Sequence, residues 1–524
     1  MITYRMAHNT ASGLSNANAL EPKMTDGNVF EGWTAEKSSG FDAGMIGHAQ
    51  SLNGGNPRPR IVIVGGGFSG GALAWHLHRT APHRHDILIV EPRDEIGRGL
   101  AYDNSDPAHR INVPALKMNL DFDEEGHFDQ WLIASGYPAR DPASVIADVH
   151  LFPTRKAFGD YVNAHVRELG DAVTHKKTTA RAIIPHQGGH RVLCDDGEDI
   201  HADAIVLAVC HTPPDVPSSL APLRHDPQLI ANPWRPDALQ GIAPDARVLI
   251  VGTGLTMADI VASLDRQGHR GHITAISRRG LRSQTHATQF SETLGDFASN
   301  PSRTTLSLLR HVRRVIAEAA REGQSWHPVL DQVRLQGFDI WRALPLQERA
   351  RLIRHLRPFW DTYRFRIAPQ VDAVIVRRIA EGTLTIQAAS VRANTQQGQA
   401  LSVDLRTRRS RMWEPASFDT IILATGPAHG TVFSGNPLLG QLLNDGLARP
   451  DPLGLGIDVD VQGRAIGRDG QAAERLFVAG PLARGTFGEL MGVPDLARHA
   501  RNIAETLARM DIHASRLPPR PVQA

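Results

Sequence analysis

The chain has 524 residues, 41% of them hydrophobic, and a formal net charge of +2, which is long enough for two or three domains with full cores. Such a balanced charge excludes the basic field of a nucleic-acid binder, and no run of about 18 apolar residues is present to span a membrane. The two cysteines, Cys194 and Cys210, form no C-x-x-C pair; this excludes a thioredoxin-reductase-type dithiol and leaves a disulfide framework unsupported.

Residues 1–57 are rich in Asn, Ser, Gly and Ala without sustained periodicity, and read as a flexible N-terminal extension. They carry no basic-plus-apolar secretory pattern, so a cytoplasmic chain is expected. The β-branched run Arg60-Ile-Val-Ile-Val64 then meets Gly65-Gly66-Gly67-Phe68-Ser69-Gly70, and a helix-forming stretch follows from Ala72 to His78. A strand before this glycine pattern and a helix after it make it specific for a dinucleotide. Gly65, Gly67 and Gly70 let the chain turn tightly, and the backbone around Phe68 and Ser69 can bring N–H groups to a pyrophosphate. Asp86-Ile-Leu-Ile-Val90 reads as the second strand and ends in Glu91, 21 residues beyond Gly70. An acid about 20 positions on accepts ribose hydroxyls and repels a 2′-phosphate, so this site fits FAD or NAD.

Gly97-Arg98-Gly99-Leu-Ala-Tyr102 and Ile111-Asn-Val-Pro-Ala-Leu-Lys117-Met118 follow without Rossmann periodicity. Long irregular connections of this kind are usually functional, and this one is expected to run past the flavin, with Arg98 among its ligands. Leu151-Phe-Pro-Thr-Arg155 leads into a helix carrying Tyr161. Two later runs, Ala204-Ile-Val-Leu-Ala-Val-Cys-His211 and Thr420-Ile-Ile-Leu-Ala-Thr-Gly426-Pro427, are both expected to return to the FAD domain. The first has Cys210 where the second has glycine.

Between them stands a second glycine signature, Arg247-Val-Leu-Ile-Val251 followed by Gly252-Thr-Gly254-Leu255-Thr256. The next strand, Ile273–Ser277, ends in Ser277-Arg278-Arg279 rather than in an acid. Guanidinium groups beside a hydroxyl suit a 2′-phosphate, which favours NADPH over NADH. Residues 302–369 turn helical and basic, with amphipathic spacing from Leu306 to Ile316 and tryptophans at 326, 341 and 360. This insert is a substrate cap or a packing surface, and the latter leaves a homodimer open. Arg364 and Arg366 are placed to hold a carboxylate, which favours an acidic or amino-acid-like substrate. Arg475-Leu-Phe-Val-Ala-Gly480-Pro481 reads as the strand that closes the FAD site. His286 and His429 have no ligand spacing beside them, so no metal is expected.

The expected architecture is α/β: two dinucleotide-binding Rossmann-like domains, one for FAD and one for NADPH, with a helical insert. FAD takes residues 58–230 and 421–512, NADPH takes 231–420 with the insert at about 302–369, and 513–524 form a flexible tail.

Glu-Pro-Arg (91–93), Asn-Val-Pro-Ala (112–115), Ser-Arg-Arg-Gly-Leu (277–281), Trp-Asp-x-x-Arg-x-Arg (360–366), Ala-Thr-Gly-Pro (424–427) and Gly-Pro-Leu-x-Arg-Gly-Thr-Phe (480–487) follow the first glycine loop in order. With it they make a chain that resembles the bacterial FAD/NAD(P)-binding protein family over roughly residues 58–510. That family includes nitrosuccinate synthases, and its layout is distantly similar to class B flavin monooxygenases such as ornithine and lysine N-hydroxylases. The resemblance implies FAD held at Gly65, Gly67, Gly70, Glu91, Gly426 and Gly480, and NADPH at Gly252, Gly254, Ser277 and Arg278. It implies oxygenation of a small amine or carbonyl substrate by O₂ through a C4a-hydroperoxyflavin, with amino-acid N-oxygenation as one form. Lys117, Arg155 and Arg364 are the polar residues first expected near substrate. Phe365 departs from the pattern, since many relatives carry His there. Two alternatives stay open at the sequence level: an NAD(P)H-dependent flavin reductase without oxygenation, and an FAD-binding redox sensor or scaffold.

Overall fold

The computed structural model describes residues 58–512 except 147–149, 187, 210–213, 288–290, 395–400 and 427–430. The expected N-terminal extension, the C-terminal tail, Cys210, Pro427 and His429 lie outside these residues. Two parallel sheets organise the rest. Their strands are short Val/Ile/Leu runs buried on both faces, as parallel strands covered by helices must be.

The first sheet has six strands. Arg60–Val64 lies between Asp86–Val90 and Ala204–Leu207; Val173–Lys176 extends the former side, and Ala472–Val478 then Arg464–Ile466 extend the latter. All pair in parallel except the edge strand Arg464–Ile466. Taken by chain position, the five parallel strands follow the order 3-2-1-4-5 of a dinucleotide fold. A three-stranded antiparallel sheet, Ala180–His186, Gly189–Cys194 and Asp199–Ala202, fills the crossover between Val173–Lys176 and Ala204–Leu207.

The second sheet repeats this plan. Val248–Val251 is flanked by Ile273–Ser277 and Thr420–Leu423, with Leu384–Ala393 beyond one and Leu229–Ile230 beyond the other. An antiparallel extension, Leu401–Thr407 and Glu414–Phe418, completes it. The sheet corrects the sequence reading in two places. Thr420–Leu423 does not return to the FAD half; it pairs with Val248–Val251, Leu249 facing Ile421. Leu229–Ile230 also belongs here, so the boundaries expected at 230 and 420 each fall slightly off. The physical reason is that each Rossmann unit needs its own fourth strand beside its first, and the Ala-Thr-Gly run supplies it to the second unit.

The helical insert forms as expected. Thr305–Arg321, His327–Leu335, Gly337–Ala343, Leu346–His355 and Arg357–Arg364 are helices, and Pro369–Ala380 leads back to the sheet. Thr304 caps the first of them, its hydroxyl accepting from Ser307 N–H at 3.1 Å. The insert buries its own apolar cluster, including Phe297, Leu308, Val329 and Ile340. Among the described residues no helix is long and apolar enough to cross a membrane.

Candidate cofactor and substrate sites

The first glycine loop is shaped by close approach. Gly65 has φ +106°, and a Cβ there would overlap the carbonyl of Ala208, which follows the strand Ala204–Leu207. The second loop repeats the device: Gly252 has φ +127°, and its Cβ would overlap the carbonyl of Ala424, after Thr420–Leu423. Only glycine combines a positive φ with that clearance. The two runs of small residues that looked alike in sequence are thus the crossing strands of two different loops. Gly426, expected at FAD, stands beside the second loop instead, two residues beyond Ala424.

Around the first loop the expected residues come together. Gly67 caps the helix Phe68–Thr80, and Phe68 is buried against Tyr102 and Phe158, with ring centroids 6.4 and 5.6 Å away. Gly97 N–H donates to Gly66 O at 2.8 Å, so the Gly97-Arg98-Gly99 segment lies directly on the loop. Arg98 is held there by Glu95 at 2.5 Å and Asp160 at 2.6 Å. Gly480 has φ +95° and meets Ser69, and Pro481 opens the turn that follows. Glu91 is 3% exposed; one carboxylate oxygen accepts Gly66 N–H at 2.8 Å, the other Arg93 N–H and Nε at 3.1 and 2.9 Å. A carboxylate offers about four acceptor positions and three are taken, so capacity remains for one ribose hydroxyl.

At the second loop, Gly254 caps the helix Leu255–Arg266, whose first residues are Leu255 and Thr256, and nothing lies within 4 Å of where its Cβ would stand. That open space ahead of a helix N-terminus fits a dinucleotide phosphate. Ser277 Oγ accepts from Gly280 N–H at 2.9 Å and meets Thr253 Oγ1 at 2.8 Å. Arg278 is exposed and makes no ion pair among the described residues, whereas Arg279 lies over the Phe359 ring at 5.5 Å.

The three residues expected near substrate do not meet. Lys117 is exposed at the end of a short 3₁₀ turn. Arg155 is an internal strut: its guanidinium reaches Asp259, on the helix of the second loop, at 2.6 Å, and lies 5.4 Å from the Trp234 ring. Arg364 is 3% exposed at its side chain and donates to Glu489 at 2.9 Å, with Asp495 at 3.7 Å. Arg366 forms a fork with Asp331 at 2.7 and 3.2 Å. The carboxylates that Arg364 and Arg366 were expected to bind are therefore the protein's own. His286 is likewise structural: it hydrogen-bonds Asn112 O at 3.0 Å, and burial lowers its pKa to about 4.

Sequence reasoning missed what these arginines accomplish. Trp360 Nε1 and Arg364 both donate to Glu489, Arg334 donates to Asp495 at 3.2 Å, and Trp341 Nε1 donates to Gly485 O at 2.8 Å. The insert is thereby bolted to the segment between the last strand of the first sheet and the helix Val493–Arg509. Between insert and segment lies a cavity of about 540 Å³, into whose wall Arg484 and Glu489 come from the segment. Lys117, Arg155 and Arg364 do not line it. The acids at 489 and 495 were legible as residues, but their partners lie more than a hundred positions away.

Two crossed glycine loops on two parallel sheets define a two-dinucleotide flavoprotein. Residues 62–212 match the FAD-NAD(P)-binding family model, and residues 144–329 match that of L-lysine 6-monooxygenase/L-ornithine 5-monooxygenase. No curated protein matches the chain. Among solved structures, ornithine N-hydroxylase of Kutzneria sp. 744 is similar at 19% identity and TM-score 0.59 over 86% of this chain and 99% of its own. Ornithine hydroxylase of Pseudomonas aeruginosa aligns at 18% identity and TM-score 0.58, again over 86% and 99%. L-lysine 6-monooxygenase of Pseudomonas syringae does so at 19% and 0.58, with the same coverage. At such identities the likeness of the structures is one of fold. With the two family matches, each over less than half of the chain, it is an FAD-dependent NAD(P)H oxidoreductase similar in fold to the flavin-dependent lysine and ornithine monooxygenases. The first of these models is one of FAD and NAD(P) binding.

Proposed function

We propose that this chain is an NADPH-dependent flavin monooxygenase that oxygenates a small amine or carbonyl substrate, amino-acid-like compounds included. The observation that carries the reading is the cavity walled by the insert and by the 484–491 segment, which follows directly on the strand end where Gly480 meets Ser69 of the first glycine loop. Room for a substrate thus adjoins the FAD half, while the second loop brings the nicotinamide dinucleotide.

When bound, NADPH supplies hydride and FAD holds the electrons and activates O₂. The chain's own residues supply the positioning. Gly65 and Gly70 let the first loop fold tightly against the crossing strand and itself, Gly67 opens the helix whose N-terminus would face the pyrophosphate, and Glu91 would accept from the ribose. Ser277 and Arg278 would hold the 2′-phosphate. Trp341, Trp360 and the Arg364–Glu489 pair hold the insert against the final segment and so fix the cavity wall beside the FAD half.

The test is NADPH consumption, product and hydrogen peroxide measured together across amine and carbonyl candidates. A substrate that draws NADPH use into product carrying an atom of O₂, with little peroxide, supports the reading. Rapid anaerobic transfer to quinones, with no oxygenated product from any candidate, overturns it in favour of a reductase.

A further inference from the structure

The insert is hollow, and its lining is of two kinds. Leu308, Val312, Trp326, Leu330, Trp341 and Trp360 belong to a broad apolar wall around the 540 Å³ space. Small-molecule sites run from roughly 300 to 1,000 Å³, and about 150 Å³ suffices for benzene. The space therefore accepts a body several times larger than a benzene ring.

Arg313, an exposed residue, is one charged part of the lining; the other four, Arg357, Asp361, Arg484 and Glu489, gather on the side of the final segment. Three of the four are accounted for. Arg357 faces Asp361 at 3.4 Å, and Glu489 is taken by Arg364 and Trp360. Arg484 is not. It is 2% exposed, its Nε donates to Leu455 O at 3.1 Å, and its Nη1 meets the Met491 sulfur at 3.3 Å. Its Nη2 has no hydrogen-bond partner; Asp361, Asp451 and Glu489 face the guanidinium, but among the described residues none of them comes within ion-pair distance. Arginine is almost never buried without an anion, because desolvating a guanidinium is expensive. Burial lowers its pKa only to about 10, so the group stays cationic at neutral pH.

We propose that this cavity binds a molecule with a large apolar body ending in a carboxylate, the carboxylate on Arg484 and the body against the tryptophan and leucine wall. Neither free lysine nor ornithine has that shape: each is a short chain charged at both ends, with no large apolar body to set against the wall. Calling the ligand the substrate rests on the monooxygenase reading; the binding itself does not.

The test is calorimetry on the FAD-loaded protein without NADPH, using straight-chain carboxylates from hexanoate to tetradecanoate and the matching alcohols. Affinity should rise about fourfold per added methylene until the wall is reached, and each carboxylate should bind at least tenfold more tightly than its alcohol. Arg484→Leu should erase the preference for acid over alcohol, and Arg484→Lys should restore part of it. Val312→Phe, which fills the wall without touching a charge, should shorten the best chain. Equal binding of acid and alcohol would mean that Arg484 serves another anion, FAD included, and would overturn the proposal. So would an affinity that ignores chain length, whatever becomes of the Arg484 variants. These probes carry no amine or ketone to oxygenate, so the monooxygenase reading is tested by the product assay given for it and not by this binding.

Discussion

Glu91 is the residue on which the first loop depends twice. Its carboxylate holds Gly66 N–H and Arg93, and under the proposed function it also accepts from the ribose of FAD. A hydrogen bond to a charged group is worth about 1.5–3 kcal/mol, so Glu91→Ala should weaken FAD binding at least tenfold, read as flavin absorbance per protein after gel filtration. Wild-type retention of FAD would remove Glu91 from the ribose. At the second loop the two arginines separate. Arg278 is exposed with no ion pair among the described residues, while Arg279 is spent on the Phe359 ring. Arg278→Ala should therefore abolish most of the preference for NADPH over NADH in kcat/KM, and Arg279→Ala should leave most of it. Equal loss with both nucleotides in Arg278→Ala would assign that residue to the pyrophosphate or the fold.

The elements are joined by buried ion pairs that sequence had offered as substrate contacts. Arg155 starts the helix Arg155–Arg167, Asp259 sits on the helix behind the second loop, and their side chains are 13% and 6% exposed. Removing one partner leaves a buried charge, which costs about 3–5 kcal/mol, whereas replacing both with apolar groups costs far less. Arg155→Met should lower the urea midpoint markedly, and Arg155→Met with Asp259→Leu should recover most of it. A lone Arg155→Met that unfolds normally but loses substrate turnover would return Arg155 to the active site. Both glycine loops, their strands, Glu91 and the helical insert were legible because each is a local pattern of spacing and composition. What sequence could not supply was partnership across distance. The run at 420–426 carries the same signal as the run at 204–210, and only sheet pairing reveals that it crosses Gly252 rather than Gly65. Arg364 and Arg366 were visible as a forked pair, but Glu489 and Asp331, which occupy them, are 125 and 35 residues away.

Five histidines among the described residues, three buried and two half-buried, share one electrostatic setting. His76, His85, His190, His286 and His499 are each lowered by burial from 6.5 to about 4. The folded chain then binds fewer protons than the unfolded chain between those values. Their contribution is accordingly full above pH 6.5 and is lost as pH falls from there toward 4. Thermal midpoints should be level above about pH 7 and drop steadily below the ordinary histidine range; an unchanged midpoint near pH 5 would show that these rings protonate without cost. The central claim concerns the same molecule in turnover: NADPH feeds a flavin that goes on to oxygenate a substrate. It is tested most directly by reducing the FAD-loaded protein with NADPH under anaerobic conditions, then mixing with O₂ and following the flavin spectrum in a rapid-mixing instrument. The account predicts reduction at lower concentrations of NADPH than of NADH, then a transient absorbing species that outlasts mixing and decays faster when substrate is present. Direct return from reduced to oxidised flavin, with peroxide released and no transient, would contradict it.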